Sequence, residues 1–241
     1  GPRLEDPKSS VLPLNDPATY ENYTTKLNLR HMSSCSRVSG IIRTMNIEDY
    51  KTKTSLMLPF KGTWIVGNGG RNASKNSHIN PDGTGPKNQR FAYDFIKDHK
   101  GNAKNLEDYE AFGLEVIAPA DGVISQVING SRDIPIGESD WVVICGNMVV
   151  IDHENGEWSV LAHFKHNSIK VKVGDKVKKG NLVGLCGNTG NTSEPHIHYH
   201  LQNGPIMYRA TGLPVQFRRI KVNSELKKTV ELEADQKVSN P

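Results

Sequence analysis

The feature that most limits the fold of this chain is a series of short apolar runs between residues 60 and 217, each followed by turn-forming residues. Gly, Asn, Asp and Pro separate the runs, as in Pro119-Ala-Asp-Gly122 and Gly187-Asn-Thr-Gly190. Runs of this length and spacing favour an antiparallel sandwich or barrel-like sheet over alternating strands and helices. The predicted strands are Thr63–Val66, Arg90–Ile96, Glu115–Ala118, Gly122–Ile128, Met148–His153, Trp158–His163, Asn181–Cys186 and His196–Gln202.

Composition divides the 241 residues into four parts. Residues 1–17 carry four prolines and are predicted to be a flexible leader. Its first two residues, Gly1-Pro2, are typical of a cleaved expression tag, so a native signal peptide could have been removed. We expect residues 18–58 to form a small N-terminal subdomain or remnant, 59–217 the main domain, and 218–241 edge strands and a tail. The predicted fold is therefore mainly β, an antiparallel sheet or sandwich with a small N-terminal extension.

Composition also limits the partners. No segment approaches the ~18 apolar residues of a membrane span, and a net charge of +4 is too small to indicate a nucleic-acid partner. The three cysteines, Cys35, Cys145 and Cys186, form no Cys-x-x-Cys pair. This odd number argues against a disulfide framework and a cysteine-bound zinc, and leaves a single disulfide open. We expect a monomer without a membrane span.

Three histidines alternate in the segment Pro195-His196-Ile197-His198-Tyr199-His200-Leu201. Along a strand, His196, His198 and His200 share one face. Histidines at i and i+2 stand about 7 Å apart, close enough to serve one metal site in two roles. A polar face that happens to be rich in histidine is the competing interpretation, and it would be preferred for an isolated His-x-His.

Three further residues become stronger functional candidates because this histidine-rich segment is present. Asp94 lies in Arg90-Phe-Ala-Tyr-Asp-Phe-Ile96, where both strand faces are apolar, and a buried carboxylate needs a cation or several donors. Coordination of a metal and pairing with a buried Arg or Lys would explain a buried carboxylate at Asp94 equally well. His163 stands in an apolar strand, where a hydrogen-bonded core histidine is more common than a catalytic one. His78 lies in a long polar loop, and long loops in compact domains tend to be functional.

Together these residues favour a catalytic zinc site, which uses three protein ligands and leaves a fourth position for water. His and carboxylate ligands without Cys suit a hydrolytic metal. The chain has no Gly-x-Ser-x-Gly nucleophile motif, and Gly67-Asn-Gly-Gly70 lacks the spacing of a phosphate-binding loop.

The ordered series His78, Asp94, Leu161-Ala-His163 and His196-Ile-His198 resembles the motifs of the lysostaphin/LytM zinc endopeptidases. Ala118-Pro-Ala-Asp-Gly-Val123 and Val173-Gly-Asp-Lys-Val177 match as well, so that the resemblance covers about residues 58–202. It implies a duplicated-hybrid-motif fold and a peptidoglycan endopeptidase with one Zn²⁺ per chain. It assigns zinc binding to His78, Asp94 and His198, and catalysis to His163 and His196, either of which could be the base.

One departure concerns the first ligand. Family members commonly separate the first His from the Asp by three residues, whereas 15 residues lie between His78 and Asp94 here. His99 follows the Asp and His153 belongs to another motif, so His78 is the predicted ligand.

Two alternatives remain open at this stage. Val173-Gly-Asp-Lys-Val177 also resembles the hairpins of biotinyl, lipoyl and phosphotransferase carrier domains, although no acceptor tripeptide such as Met-Lys-Met occurs. A zinc-holding but inactive binding module is the second alternative. The loops expected to set the substrate are Asn68–Gln89, Asn129–Trp141 and Gly187–Pro195. A peptidoglycan substrate implies an extracytoplasmic location, in the periplasm, the cell envelope or the medium.

Overall fold

The computed structural model describes residues 46–80, 82–98 and 103–241. The predicted leader, Cys35 and most of the predicted 18–58 subdomain lie outside the described residues, as does His99. The domain boundaries drawn from the sequence therefore stay predictions.

The described part of the chain is almost entirely β structure. The strands are β1 Thr63–Gly69, β2 Tyr93–Ile96, β3 Glu115–Ile117, β4 Gly122–Ile128, β5 Asn147–Asp152, β6 Trp158–Phe164, β7 Lys176–Val177, β8 Leu182–Leu185, β9 Ile197–Gln202, β10 Gly212–Leu213, β11 Phe217–Val222, β12 Glu225–Val230 and β13 Lys237–Ser239. Three short 3-10 helices cover Ile47–Asp49, Leu106–Asp108 and Met207–Arg209. None of the described helices is long and apolar enough to span a bilayer.

One large sheet contains most of these strands. Its order is β12-β11-β13-β1-β2-β9-β6-β5-β4-β7, with β10 also pairing with β9, while β3 and β8 form a separate pair. Every strand pairing in the described ranges is antiparallel. The predicted mainly β, antiparallel fold is thus confirmed, and each predicted strand overlaps an observed one.

The central strand β9 lies between β2 and β6, and all six of its residues are buried. Its Ile197, Tyr199 and Leu201 join the main apolar core, where Tyr199 stacks near Phe217 and packs with Leu161. The opposite face of β6 belongs to a smaller core that includes Val160 and Ala162. Burial on both faces holds β9 rigidly, which suits a strand that carries functional side chains.

The buried carboxylate of Glu157 links the segment before β1 to the β5–β6 hairpin through hydrogen bonds. Glu157 is fully buried and accepts hydrogen bonds from Tyr50 Oη at 2.8 Å, the Lys53 amide at 2.7 Å, and the amide and hydroxyl of Thr54. Burial raises the pKa of Glu157, but these hydrogen bonds outweigh burial and hold the pKa below its usual 4.5. The carboxylate therefore stabilises the fold in its ionised form.

We expect Glu157→Ala to lower the free energy of unfolding by about 3 kcal/mol, because it leaves several buried donors without an acceptor. The contribution should be present at neutral pH and should be lost as pH falls below 4.5 through the lower folded-state pKa. Urea unfolding at several pH values measures both effects. Glu115→Ala removes an exposed carboxylate paired with Lys61 and is the control, expected to cost under about 1 kcal/mol. Equal losses in the two variants would contradict this assignment.

Candidate metal centre and catalytic cleft

Strand register places Asp94 and His198 side by side. His198 of β9 lies opposite Asp94 of β2 and, on its other side, opposite Ala162 of β6. Directly opposed side chains on one sheet face have Cβ atoms about 5 Å apart. His198 Nδ1 consequently lies 2.9 Å from Asp94 Oδ1, and both side chains are largely buried.

His78 reaches the same point from the loop between β1 and β2. Its Nε2 lies 3.5 Å from Asp94 Oδ2, and its ring meets that of His198 edge to face with centroids 5.1 Å apart. One donor atom from each of His78, Asp94 and His198 lies within 4.8 Å of the others. The structure therefore brings the three predicted ligands together, despite the 15 residues between the first two.

Two asparagines, the buried Asn76 and the partly buried Asn68, hold this part of the site. Asn76 donates from Nδ2 to the carbonyls of Gly70 and Arg90, which directs its Oδ1 towards the His78 amide at 3.0 Å and towards His78 Nδ1 at 3.1 Å. Asn68 Nδ2 also lies 3.0 Å from His78 Nδ1 and donates to Asp94 Oδ2 at 2.8 Å. Neither residue was predicted from the sequence, because an asparagine in a polar loop carries no signal of its partners.

His163 reaches the cleft through an irregularity of β6. It has a φ of 64°, in the left-handed region, beside a register shift between β5 and β6. Regular alternation would place His163 on the core face of Leu161. The bulge instead directs Phe164 into the core and the imidazole towards the site. Such backbone strain costs about 1–3 kcal/mol and is typical of functional positions.

A close approach of two loops completes the support of His163. Its Nδ1 donates to the Thr189 carbonyl at 2.7 Å. Gly146 and Gly190 pack so tightly there that an added Cβ on Gly146 would lie 2.3 Å from the Thr189 backbone, and one on Gly190 would lie 2.3 Å from the Gly146 nitrogen. Both glycines also have a positive φ. Side chains at these two positions would push away the carbonyl that orients the histidine.

His196 is oriented in the same manner as His163. Its Nδ1 donates to the Glu194 carbonyl at 2.8 Å, and the Thr192 hydroxyl lies 3.1 Å from the same nitrogen. Because carbonyl oxygens only accept, both histidines keep Nδ1–H and leave Nε2 available. The two rings lie 4.7 Å apart, and His196 Nε2 is 3.6 Å from Asp94 Oδ1.

All five histidine and aspartate side chains line one open cleft of about 430 Å³. Among the residues that the structure describes, its remaining lining is neutral: Ser77, Asn80, Pro86, Gln89, Ser139, Ile144, Cys145, Ala162, Asn191, Thr192 and Ser193. Apart from Ala162 of β6, these come from the three loops predicted to set the substrate and from the residues just after the second of them. Cys145, like Cys186, is a free, buried thiol.

Burial and repulsion from neighbouring histidines lower the pKa values of two imidazoles of the site, His78 and His163. Burial, together with repulsion from His198 and His196, lowers the pKa of His78 to about 4 against the attraction of Asp94. Burial and the neighbouring His196 and His198 hold the pKa of His163 well below its usual value. Burial raises the pKa of Asp94, but the surrounding histidines outweigh burial and keep that pKa low.

At neutral pH Asp94 is therefore an ionised carboxylate, and His78 and His163 are neutral imidazoles. Neutral imidazole and carboxylate are the ligand forms that zinc binds, and three of them at one point leave a position for water. The chemistry of this donor set fits a metal such as zinc. His153, another buried histidine, donates to the Asp121 carbonyl and contacts the Ser159 hydroxyl away from the cleft, so it has a structural role.

Comparison with the profiles of known protein families finds a match over part of the chain. Residues 103–210 match the profile of Peptidase family M23. The matched range contains His163, His196 and His198 but begins after His78 and Asp94. The two predicted ligands on the β1–β2 loop and on β2 thus lie outside the matched range.

Curated relatives carry related names. An uncharacterised metalloprotease of Haemophilus influenzae is 32% identical over 129 residues, which are 54% of this chain and 22% of that protein. The peptidoglycan DD-endopeptidase ShyA of Vibrio cholerae is 46% identical over 72 residues, 29% of this chain and 16% of that protein. The chain thus spans about a fifth of the length of these two relatives.

Solved structures align over a larger share of the chain. A zinc-containing peptidase from Vibrio cholerae aligns with a TM-score of 0.41 and 21% identity, over 66% of this chain and 39% of that one. The solution structure of lysostaphin aligns with a TM-score of 0.39 and 20% identity, over 63% and 48%. The profile match and the curated relatives confirm the resemblance drawn from the sequence motifs: residues 103–210 of this chain match Peptidase family M23, and its relatives are named as a metalloprotease and a peptidoglycan endopeptidase.

Proposed function

We propose that this chain is a zinc-dependent endopeptidase that hydrolyses peptide bonds in peptidoglycan cross-links. The observation that carries the proposal is the convergence of His78, Asp94 and His198 within 4.8 Å, in the cleft that also holds His163 and His196. Names of relatives from Vibrio cholerae, the peptidoglycan DD-endopeptidases ShyA and ShyC, support peptidoglycan as the substrate. An inactive binding module has no comparable support, because the described site keeps every side chain that the reaction needs.

His78, Asp94 and His198 would hold the metal. When bound, zinc supplies a Lewis acid and lowers the pKa of water to about 7. Asp94 contributes the negative charge of the ligand set, and Asn68 donates to its second oxygen. His78 and His198 contribute nitrogen atoms, and because histidine binds a metal as the neutral imidazole, the ligand set would supply a net charge of about −1 to the metal.

His163 and His196 would move the protons. Their Nδ1–H groups donate to backbone carbonyls, so each offers a lone pair on Nε2 that can take a proton from the attacking water. After protonation, the same Nε2–H can donate to the developing oxyanion or to the departing amine. Because the imidazoles are buried and their Nδ1–H groups are hydrogen-bonded to backbone carbonyls, they are already oriented before the substrate enters.

The neutral walls of the cleft suit an extended, uncharged stretch of peptide backbone. Asn80, Gln89 and Asn191 carry amide groups that can pair with peptide N–H and C=O groups. Hydrolysis of peptidoglycan would place the enzyme outside the cytoplasm, in the periplasm, the cell envelope or the medium. A monomer would suffice, because the described chain contributes the whole cleft.

The direct test measures bound zinc and soluble muropeptides released from purified peptidoglycan by the whole chain. We expect about one zinc per chain, loss of release after chelation, and recovery after zinc is added back. Zinc without release would instead favour the inactive module. Absence of zinc after dialysis against added metal would contradict the metal centre and favour a carrier domain.

A further inference from the structure

Strand β9 continues past the predicted ligand His198 with two more polar side chains, His200 and Gln202. Both are fully buried, and neither lines the cleft. They lie on the same sheet face as His198, since residues at i, i+2 and i+4 of a strand share a face. Buried polar groups of this kind persist only where their hydrogen bonds are satisfied.

The hydrogen bonds of these residues form a chain that ends on a backbone carbonyl. Gln202 Nε2 donates to the Gly204 carbonyl at 2.7 Å, which fixes the orientation of the amide. The amide oxygen Oε1 of Gln202 then faces His200 Nε2 at 3.1 Å. His200 Nδ1 in turn lies 3.0 Å from His198 Nε2.

The direction of this chain follows from its fixed end. Because Gln202 Oε1 can only accept, His200 Nε2 carries a hydrogen and donates it. A charged imidazole at this fully buried place, between a neutral amide and another imidazole, would be costly. His200 is therefore the neutral Nε2–H form, and its Nδ1 accepts a hydrogen from His198 Nε2.

The consequence appears at the other nitrogen of His198. With its hydrogen on Nε2, a neutral His198 directs the lone pair of Nδ1 at the Asp94 carboxylate, 2.9 Å away. Two acceptors at that distance repel each other unless a cation lies between them or an extra proton is added. A metal ion coordinated by both atoms removes the conflict.

We propose that His200 and Gln202 are positioning residues, which hold His198 as the Nε2–H tautomer and so present its Nδ1, together with Asp94, to the metal. This inference rests on the proposed zinc site. Groups that orient metal-binding histidines typically contribute 10–100-fold to metal affinity. In this chain a histidine and an amide would orient the metal-binding histidine, whereas a carboxylate or a backbone carbonyl is the usual partner.

The test compares zinc affinity among variants of the full chain, by competition with a chromophoric chelator. We expect His200→Phe, which removes the acceptor but keeps a planar ring, to weaken zinc binding about 10–100-fold. His200→Gln offers an acceptor for His198 and a donor for Gln202, so we expect affinity within about threefold of the parent. Gln202→Met, which removes the next acceptor, should weaken binding by a smaller factor and keeps the test valid if His200→Phe fails to fold.

His153→Phe is the matched control, since His153 is another buried histidine with both nitrogens engaged. We expect it to lower thermal stability and leave zinc affinity unchanged. Nitrogen-15 NMR of the zinc-loaded parent should show His198 protonated at Nε2 and metal-bound at Nδ1. Parent-like zinc affinity in both His200→Phe and Gln202→Met, or metal bound at Nε2 of His198, would overturn this inference. A parent chain that binds no zinc would instead overturn the proposed function.

Discussion

Replacement of His198 by alanine is expected to abolish stoichiometric zinc binding and peptidoglycan hydrolysis together. His198 is the proposed ligand at the centre of the site, opposite Asp94 on one neighbouring strand and Ala162 on the other. Loss of an outer residue costs about 10–100-fold in metal affinity, so we expect loss of a ligand to exceed about 100-fold. Metal content after dialysis and the initial rate of muropeptide release measure the two effects.

His166→Ala is the control for this substitution, because it removes an imidazole that is exposed and lies outside the cleft. It should bind zinc and release muropeptides like the parent. A His198→Ala chain that keeps one zinc after dialysis would show that the ligand set has been assigned wrongly. Retained zinc in a His78→Ala chain would restrict that error to the first ligand.

Replacement of His163 by asparagine is expected to separate metal binding from turnover. Asparagine tolerates the positive φ of this position better than most residues, so the bulge should persist without the imidazole. We expect zinc to stay near one per chain and the turnover rate to fall about 10²–10⁴-fold, the usual contribution of a general acid or base. The KM for a soluble cross-linked peptide should change little, because the group acts on the transferred proton.

His196→Phe is the companion variant, and it should show the same pattern. Cobalt substitution gives a second readout, since an unchanged visible spectrum indicates an intact metal site in both variants. A loss of zinc from His163→Asn would move His163 from the proton-transfer pair to the ligand set. Parent-like turnover in either variant would remove that histidine from the mechanism.

The local sequence pattern was sufficient to predict much of the structure of this protein. Alternation along a strand depends only on neighbouring residues, and it correctly placed Ile197, Tyr199 and Leu201 in the core and His196, His198 and His200 away from it. Turn residues correctly separated the strands. The pairing of His198 with Asp94 was accessible only through the family resemblance, because residues 104 positions apart share no local pattern.

His163 marks the limit of pattern-based prediction. Strict alternation would have placed it in the main core beside Leu161, and only the bulge turns it into the cleft. That bulge depends on contacts with Cys145 and Thr189, which belong to separate loops. A local pattern cannot encode a strained backbone that distant hydrogen bonds maintain.

The amino-acid sequence alone thus determined the class of fold, the family resemblance and the residue types available for chemistry, because periodicity and motif order are local properties. The tertiary structure decided which nitrogen of each histidine faces the cleft and how the distant His78 reaches Asp94. It also shows the hydrogen bonds on which the proposed role of His200 and Gln202 rests, and which their alternation did not reveal. Tautomers and ligand geometry depend on hydrogen-bond partners from other strands and loops, and those partners are chosen only when the sheet assembles.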